Sequence, residues 1–189
     1  MLTVTRIYIA YLIFAAAASA QRRPIDVEKS TMTVRVYKAG LLSAFGHDHE
    51  IAAPIASGGV DSAAREVELH ANAKALRVAD PQASDKDRAE IQHTMLGPEV
   101  LDAERFPEIV FRSTAAQAAG PNAWKVEGKL TLHGETRPVS VEVRESEGRY
   151  MGTARLKQSD FGIKPVKVAG GTVRVKDEVK IEFAIQLAR

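Results

Sequence analysis

Trp124-Lys125-Val126-Glu127-Gly128-Lys129-Leu130-Thr131-Leu132-His133 decides the fold class of this chain. Trp124, Val126, Gly128, Leu130 and Leu132 share one parity, and Lys125, Glu127, Lys129, Thr131 and His133 share the other. Successive side chains of a strand point to opposite faces, so the pattern describes a sheet with one dry face and one wet face. Outward from this stretch the same alternation recurs at Met32, Val34, Val36; at Val67, Leu69, Ala71, Ala73; at Ile109, Phe111; and at Val139, Val141, Val143. It returns at Val173, Val175 and at Val179, Ile181, Phe183, Ile185, Leu187. Phe111 is placed inward because the other parity carries Arg112, which is costly to bury unpaired.

Turn residues punctuate these strands at Gly58-Gly59, Gly120-Pro121-Asn122, His133-Gly134, Glu147-Gly148 and Gly170-Gly171. One segment breaks the alternation. From Asp85 to Leu96 the spacing predicts about three turns of helix. Ser84 is its N-cap, Asp85 and Asp87 suit the positive end of the helix dipole, and Gly97-Pro98 ends it. A second short helical turn is expected from Glu99 to Ala103. Many short antiparallel strands with one helix are best closed as a barrel, which removes the sheet edges. The expected architecture is therefore an all-β antiparallel barrel of about eight strands with one helical excursion, whose interior holds packed side chains or one slim apolar ligand.

The first 20 residues read as a secretion signal. Arg6 precedes an uncharged apolar run, and Ala18-Ser19-Ala20 is a small-x-small cleavage pattern, which places the cut before Gln21. The run from Ile7 to Ala20 is 14 residues, short of the roughly 20 that span a bilayer. Removing 20 of 189 residues leaves one domain, 21–189, of 169 residues. Without Arg6 it carries 25 basic and 24 acidic side chains, a balance that points to neither nucleic acid nor an acidic partner. Cysteine is absent, which excludes disulfides, a cysteine nucleophile, thiolate metal sites and a lipid anchor on cysteine. Periplasmic or secreted localisation is expected, with no stable membrane insertion after the signal is removed.

Four segments, in order, resemble the YceI-like family. Ile25-Asp26 with Ser30 to Val36 is similar to that family's opening strand. The helix with Val100-Leu101-Asp102 and Phe106-Pro107-Glu108-Ile109-Val110-Phe111-Arg112-Ser113 resembles its helix and following strand. Val126 to Val139, containing Gly128, Leu130, Thr131, Leu132, His133 and Gly134, is the most specific match, to its hairpin. Arg155 to Ile163, with Asp160-Phe161-Gly162-Ile163, resembles a fourth motif. The resemblance implies a lipocalin-like barrel in the periplasm or beyond, a pocket for an isoprenoid or another long-chain lipid, and a homodimer. It also turns Met32, Val34, Val36, Phe111, Trp124, Phe161 and Phe183 into the expected pocket lining. Two departures stand out: Phe45-Gly46-His47-Asp48-His49-Glu50-Ile51 replaces a glycine-aromatic-glycine stretch, and Val100-Leu101 replaces an aromatic pair. Both fall at candidate positions for the barrel mouth, with the outer surface as the alternative for residues 46–50.

His47 and His49 are two apart, so on a strand both imidazoles face one side and form half of a metal site. Completing it needs His93 or Glu50, and without them the segment is a hydrogen-bonded polar edge. His133 is expected in a hairpin turn with Gly134 rather than in catalysis. Ser43, His47 and Asp48 lack a nucleophile-elbow sequence. Lys86, Asp87, Arg88 and Glu90 read as a solvated helix face. The sequence therefore predicts a non-enzymatic carrier or sequestering protein for a polyisoprenoid or other long-chain amphiphile, without cofactor. A metal-binding protein using His47 and His49 is the alternative, and a barrel filled by its own side chains is a third possibility.

Overall fold

The computed structural model describes residues 22–39, 48–168 and 173–188. In chain order the elements are β1 (Arg23–Pro24), β2 (Thr31–Ala39), β3 (His49–Ala52), β4 (Ile55–Asp61), β5 (Glu66–Asn72), β6 (Arg77–Val78) and α1 (Asp85–Leu96). They continue with β7 (Glu108–Gly120), β8 (Ala123–Leu132), β9 (Glu135–Ser146), β10 (Arg149–Lys157), β11 (Lys167–Val168) and β12 (Val173–Gln186). The leader and the Gly170-Gly171 turn lie outside the described residues, as does His47.

All neighbouring strands are antiparallel, and the hydrogen-bonded order is β1-β4-β5-β7-β8-β9-β10-β12-β2-β3-β6, with β11 a short spur on β12. The two ends of that path belong to the same chain segments. β3 runs into β4 through Ala53-Pro54, and the Ala53 N–H donates to Met32 O at 2.9 Å. β1 runs into β2, with Ile25 bridged both to Gly58 and to Leu187. With the β11 spur set aside, joining β1 to β2, β3 to β4 and β5 to β6 turns the other 11 ladder segments into eight long strands, each paired on both sides. The sheet is thus closed into a barrel, as the sequence pattern implied, with no long unpaired edge.

Two strands are illegible as alternation. In β4, Gly58 and Gly59 are not a turn but mid-strand. A Cβ on Gly58 would come within 2.6 Å of Ile25 Cδ1, and one on Gly59 within 2.9 Å of Arg22 Nε. The glycines are there because the N-terminal segment lies directly on them. In β10 the inward series Tyr150, Gly152, Ala154 and Leu156 contains too little apolar bulk to register.

The remaining turns match expectation. His133 and Gly134 have φ of 52° and 76°, and Glu147 and Gly148 have 53° and 76°, the conformation that two-residue hairpins need. Helix α1 spans the expected residues, with Ser84 Oγ accepting from the Asp87 N–H at 3.1 Å. Gln92 ties it to β6, accepting from Val78 N–H at 2.8 Å and donating to Leu76 O at 2.8 Å. Residues 99–103 form hydrogen-bonded turns rather than a second helix, with the Asp102 N–H donating to Gly97 O. Among the described residues no helix is long and apolar enough to cross a membrane.

Candidate functional site

The barrel encloses a cavity of about 380 Å³. Its wall is the dry parity of the strands, as shown by Trp124, Val126, Leu130 and Leu132 of β8, which all border it. Eight residue steps separate the first and last of these, about 27 Å along the strand and roughly 20 Å along an axis to which barrel strands tilt. The space is elongated.

Its two ends differ. One is stoppered by Leu76, Val100, Leu101 and Ile163, all 9% exposed or less, with Met95 of α1 beside them on the wall. Val100 and Leu101 therefore sit at the closed end, not at the mouth where the sequence reading put them. The other end carries Asp61, Ser62 and Arg65 of the β4–β5 turn, of which Ser62 and Arg65 are exposed. Asp61 Oδ1 accepts from the Ala63 and Ala64 N–H groups at 3.0 and 2.9 Å, which shapes the turn. Arg65 makes no ion pair or side-chain hydrogen bond among the described residues. Trp124 and Tyr150 border the cavity near this end, their ring centroids 6.2 Å apart.

Six of the seven pocket residues expected from the sequence border the cavity: Met32, Val34, Val36, Phe111, Trp124 and Phe183. They remain partly accessible although they point inward, whereas residues packed off the cavity wall, such as Ile55 and Leu187, fall to 5% and 3% exposure. That contrast marks a hollow interior rather than a filled one. Phe161 is the exception. It is 1% exposed and packs in the core with Ile51, Leu76, Leu130 and Leu156, off the cavity wall. Its 3-10 turn (Gln158–Phe161) folds beneath the barrel end, and its carbonyl oxygen lies 3.0 Å from His133 Nδ1. His133 is thus a turn residue that closes the barrel end.

The sequence reading missed what seats the aromatic rings. A Cβ at Gly128 would collide with the Phe111 ring, and one at Gly152 with the Phe183 ring. Each ring lies across a neighbouring strand at a position that has no side chain. Gly128 was visible as a member of an inward series and Gly152 was not, and nothing local announced the ring across the sheet at either.

His49 Nδ1 lies 2.6 Å from Asp80 Oδ2, and Asp80 Oδ1 accepts the Glu50 N–H at 2.5 Å. Asp80 is 3% exposed. Glu50 is held by Arg35 at 2.9 Å, and His93 is exposed on α1. Among the described residues no three His, Cys, Asp or Glu side chains are disposed to hold a metal ion. On the outer wall Glu68 pairs with Arg22 at 2.6 Å, Arg112 at 2.8 Å and His70 at 2.9 Å. The hydrogen bond from Arg22, helped by His70 and the charge of Arg112, pulls its carboxyl down from 4.5 to about 2.

A UPF0312 protein of Vibrio parahaemolyticus is 32% identical over 123 residues, covering 59% of this chain and 63% of its own length. One of Pseudomonas savastanoi pv. phaseolicola is 34% identical over 88 residues, covering 41% and 46%. The chain thus spans less than two thirds of the length of these relatives. The crystal structure of Burkholderia cenocepacia BcnA shares the fold at a TM-score of 0.61, with 23% identity over 87% of this chain and 99% of that one. A Campylobacter jejuni YceI protein reaches 0.50, at 12% identity over 74% and 81%. The family model described as a YceI-like domain matches residues 24–187, from the first strand of the barrel to the end of its last, and the chain belongs to the YceI-like family.

Proposed function

We propose that this protein binds a polyisoprenoid or similar long-chain amphiphile inside its barrel and carries or sequesters it unchanged. The observation that carries the reading is the hollow, elongated cavity of about 380 Å³ whose inward side chains are almost all apolar. Ligand pockets fall in the range of roughly 300–1,000 Å³. Each buried methylene contributes about 0.8 kcal/mol, so ten contribute about 8 kcal/mol before the costs of association. That is the scale of a micromolar dissociation constant, at about 8.2 kcal/mol. Asp61, Ser62 and Arg65 supply polar contacts where the cavity meets solvent.

Export to the periplasm or beyond is part of the proposal. It rests on the signal-like leader, and β1 beginning at Arg23, two residues past the Gln21 that follows the cut, agrees with it.

Protein purified from its native host, extracted with organic solvent and analysed by mass spectrometry, is expected to release a prenyl or alkyl lipid in near-stoichiometric amount. Repeated recovery of no lipid, together with no binding of added isoprenoid, refutes the reading.

A further inference from the structure

One amide side chain borders the cavity at its stoppered end. Gln158 opens the turn after β10, is 9% exposed and borders the cavity. It sits at the stoppered end with Ile163, whose N–H donates to the Gln158 carbonyl at 3.1 Å and which also borders the cavity. Its Nε2 donates to Lys176 O at 2.9 Å. A carbonyl only accepts, so this bond fixes the amide with its nitrogen toward β12 and its Oε1 turned the other way. No group among the described residues donates to Oε1. No fully enclosed polar side-chain atom among them lacks a partner, so the oxygen is not sealed in, and the residue that carries it borders the cavity.

A water molecule is a poor partner for it. Interior waters are held by two to four polar groups, and the other charged or hydroxyl-bearing wall residues, Asp61, Ser62 and Arg65 with Tyr150, lie toward the opposite end. An amide oxygen facing an apolar space is most favourably satisfied by a donor brought in on the ligand.

We infer that Gln158 Oε1 accepts a hydrogen bond from a hydroxyl, phenol or amide N–H at the leading end of the ligand. The barrel then takes an amphiphile polar end first and prefers it to a hydrocarbon or ether of equal length. This rests on the long-chain-binding reading above.

The test compares dodecan-1-ol with its methyl ether by calorimetry or by displacement of a fluorescent probe. Wild-type protein is expected to bind the alcohol about tenfold more tightly, equivalent to about 1.4 kcal/mol. Gln158→Leu, with Gln158→Met as a second variant should the first fail to fold, is expected to bring the ratio close to one. Taking a ratio on the same variant cancels any loss of folded protein. Equal binding of both probes to wild type overturns the inference while leaving the long-chain reading intact. A tenfold preference that survives in the variants overturns it too, by placing the donor's partner elsewhere, at the Arg65 rim for instance. Failure of both probes to bind wild-type protein removes the long-chain reading and this inference with it.

Discussion

Gly128 and Gly152 carry as much of the cavity's shape as the phenylalanines above them. A methyl group at 128 meets the Phe111 ring and lies 2.6 Å from Arg112 O, so Phe111 must swing into the lumen while the backbone shifts. Gly128→Ala is expected to cost about 1–3 kcal/mol in urea melts, the range for overpacking a well-fitted site. Phe111→Leu in the same chain is expected to recover part of it, because removing the ring leaves only the backbone clash. Additive losses in the double variant would show that ring and glycine are uncoupled. Parity in the sequence located Phe111 correctly, since alternation states which face a side chain takes. It is silent on which neighbour the ring covers, because that depends on cross-strand register.

At the scale of elements, β1 is held by few groups and closes an important seam. Two residues pair with β4 through Arg23↔Val60 and Pro24↔Gly59, Ile25 bridges to Leu187, and Arg22 reaches Glu68 on β5. Glu68 ionises at about 2 in the folded chain against an ordinary 4.5. A carboxyl lowered in this way stabilises the fold above its unfolded value and loses that contribution as pH falls from 4.5 toward 2. Glu68→Gln is therefore expected to melt below wild type at pH 7 and to converge with it near pH 2. A constant gap between the two melting temperatures across that range would show that Glu68 does not hold the seam. Other carboxyls, including Glu182 and Asp177, are also lowered, so the informative quantity is the difference between the proteins. The helix was legible to its ends because cap, acidic first turn and glycine-proline stop are all local signals. β4 and β10 were not, because Gly58 and Gly59 in the one and Gly152 in the other stand where Ile25, Arg22 and Phe183 from elsewhere in the chain lie against them.

Across the whole molecule the interior divides into a packed end and a hollow length, a division that alternation cannot express. The sequence grouped Phe161 with Phe183 as inward aromatics, and the barrel separates them. Phe161 is 1% exposed within the core cluster of Ile51, Leu76, Leu130 and Leu156, while Phe183 borders the cavity. A truncation that leaves a void in packed surroundings loses both transfer free energy and contacts, so Phe161→Ala is expected to cost about 3–5 kcal/mol. Its folded fraction should bind dodecan-1-ol as wild type does, because the ring is not on the wall. Phe183→Ala removes a side chain whose inner side already faces open space, so it should cost less in the same denaturant titration while changing affinity for the alcohol. Equal stability losses with unchanged binding in both variants would mean that the barrel is filled in solution. The opposite pattern, in which Phe161→Ala alone alters binding, would move the ligand to the stoppered end beyond Leu101 and Ile163. The expected pattern, loss of stability at one phenylalanine and of affinity at the other, locates the ligand along the wall formed by β8, β10 and β12.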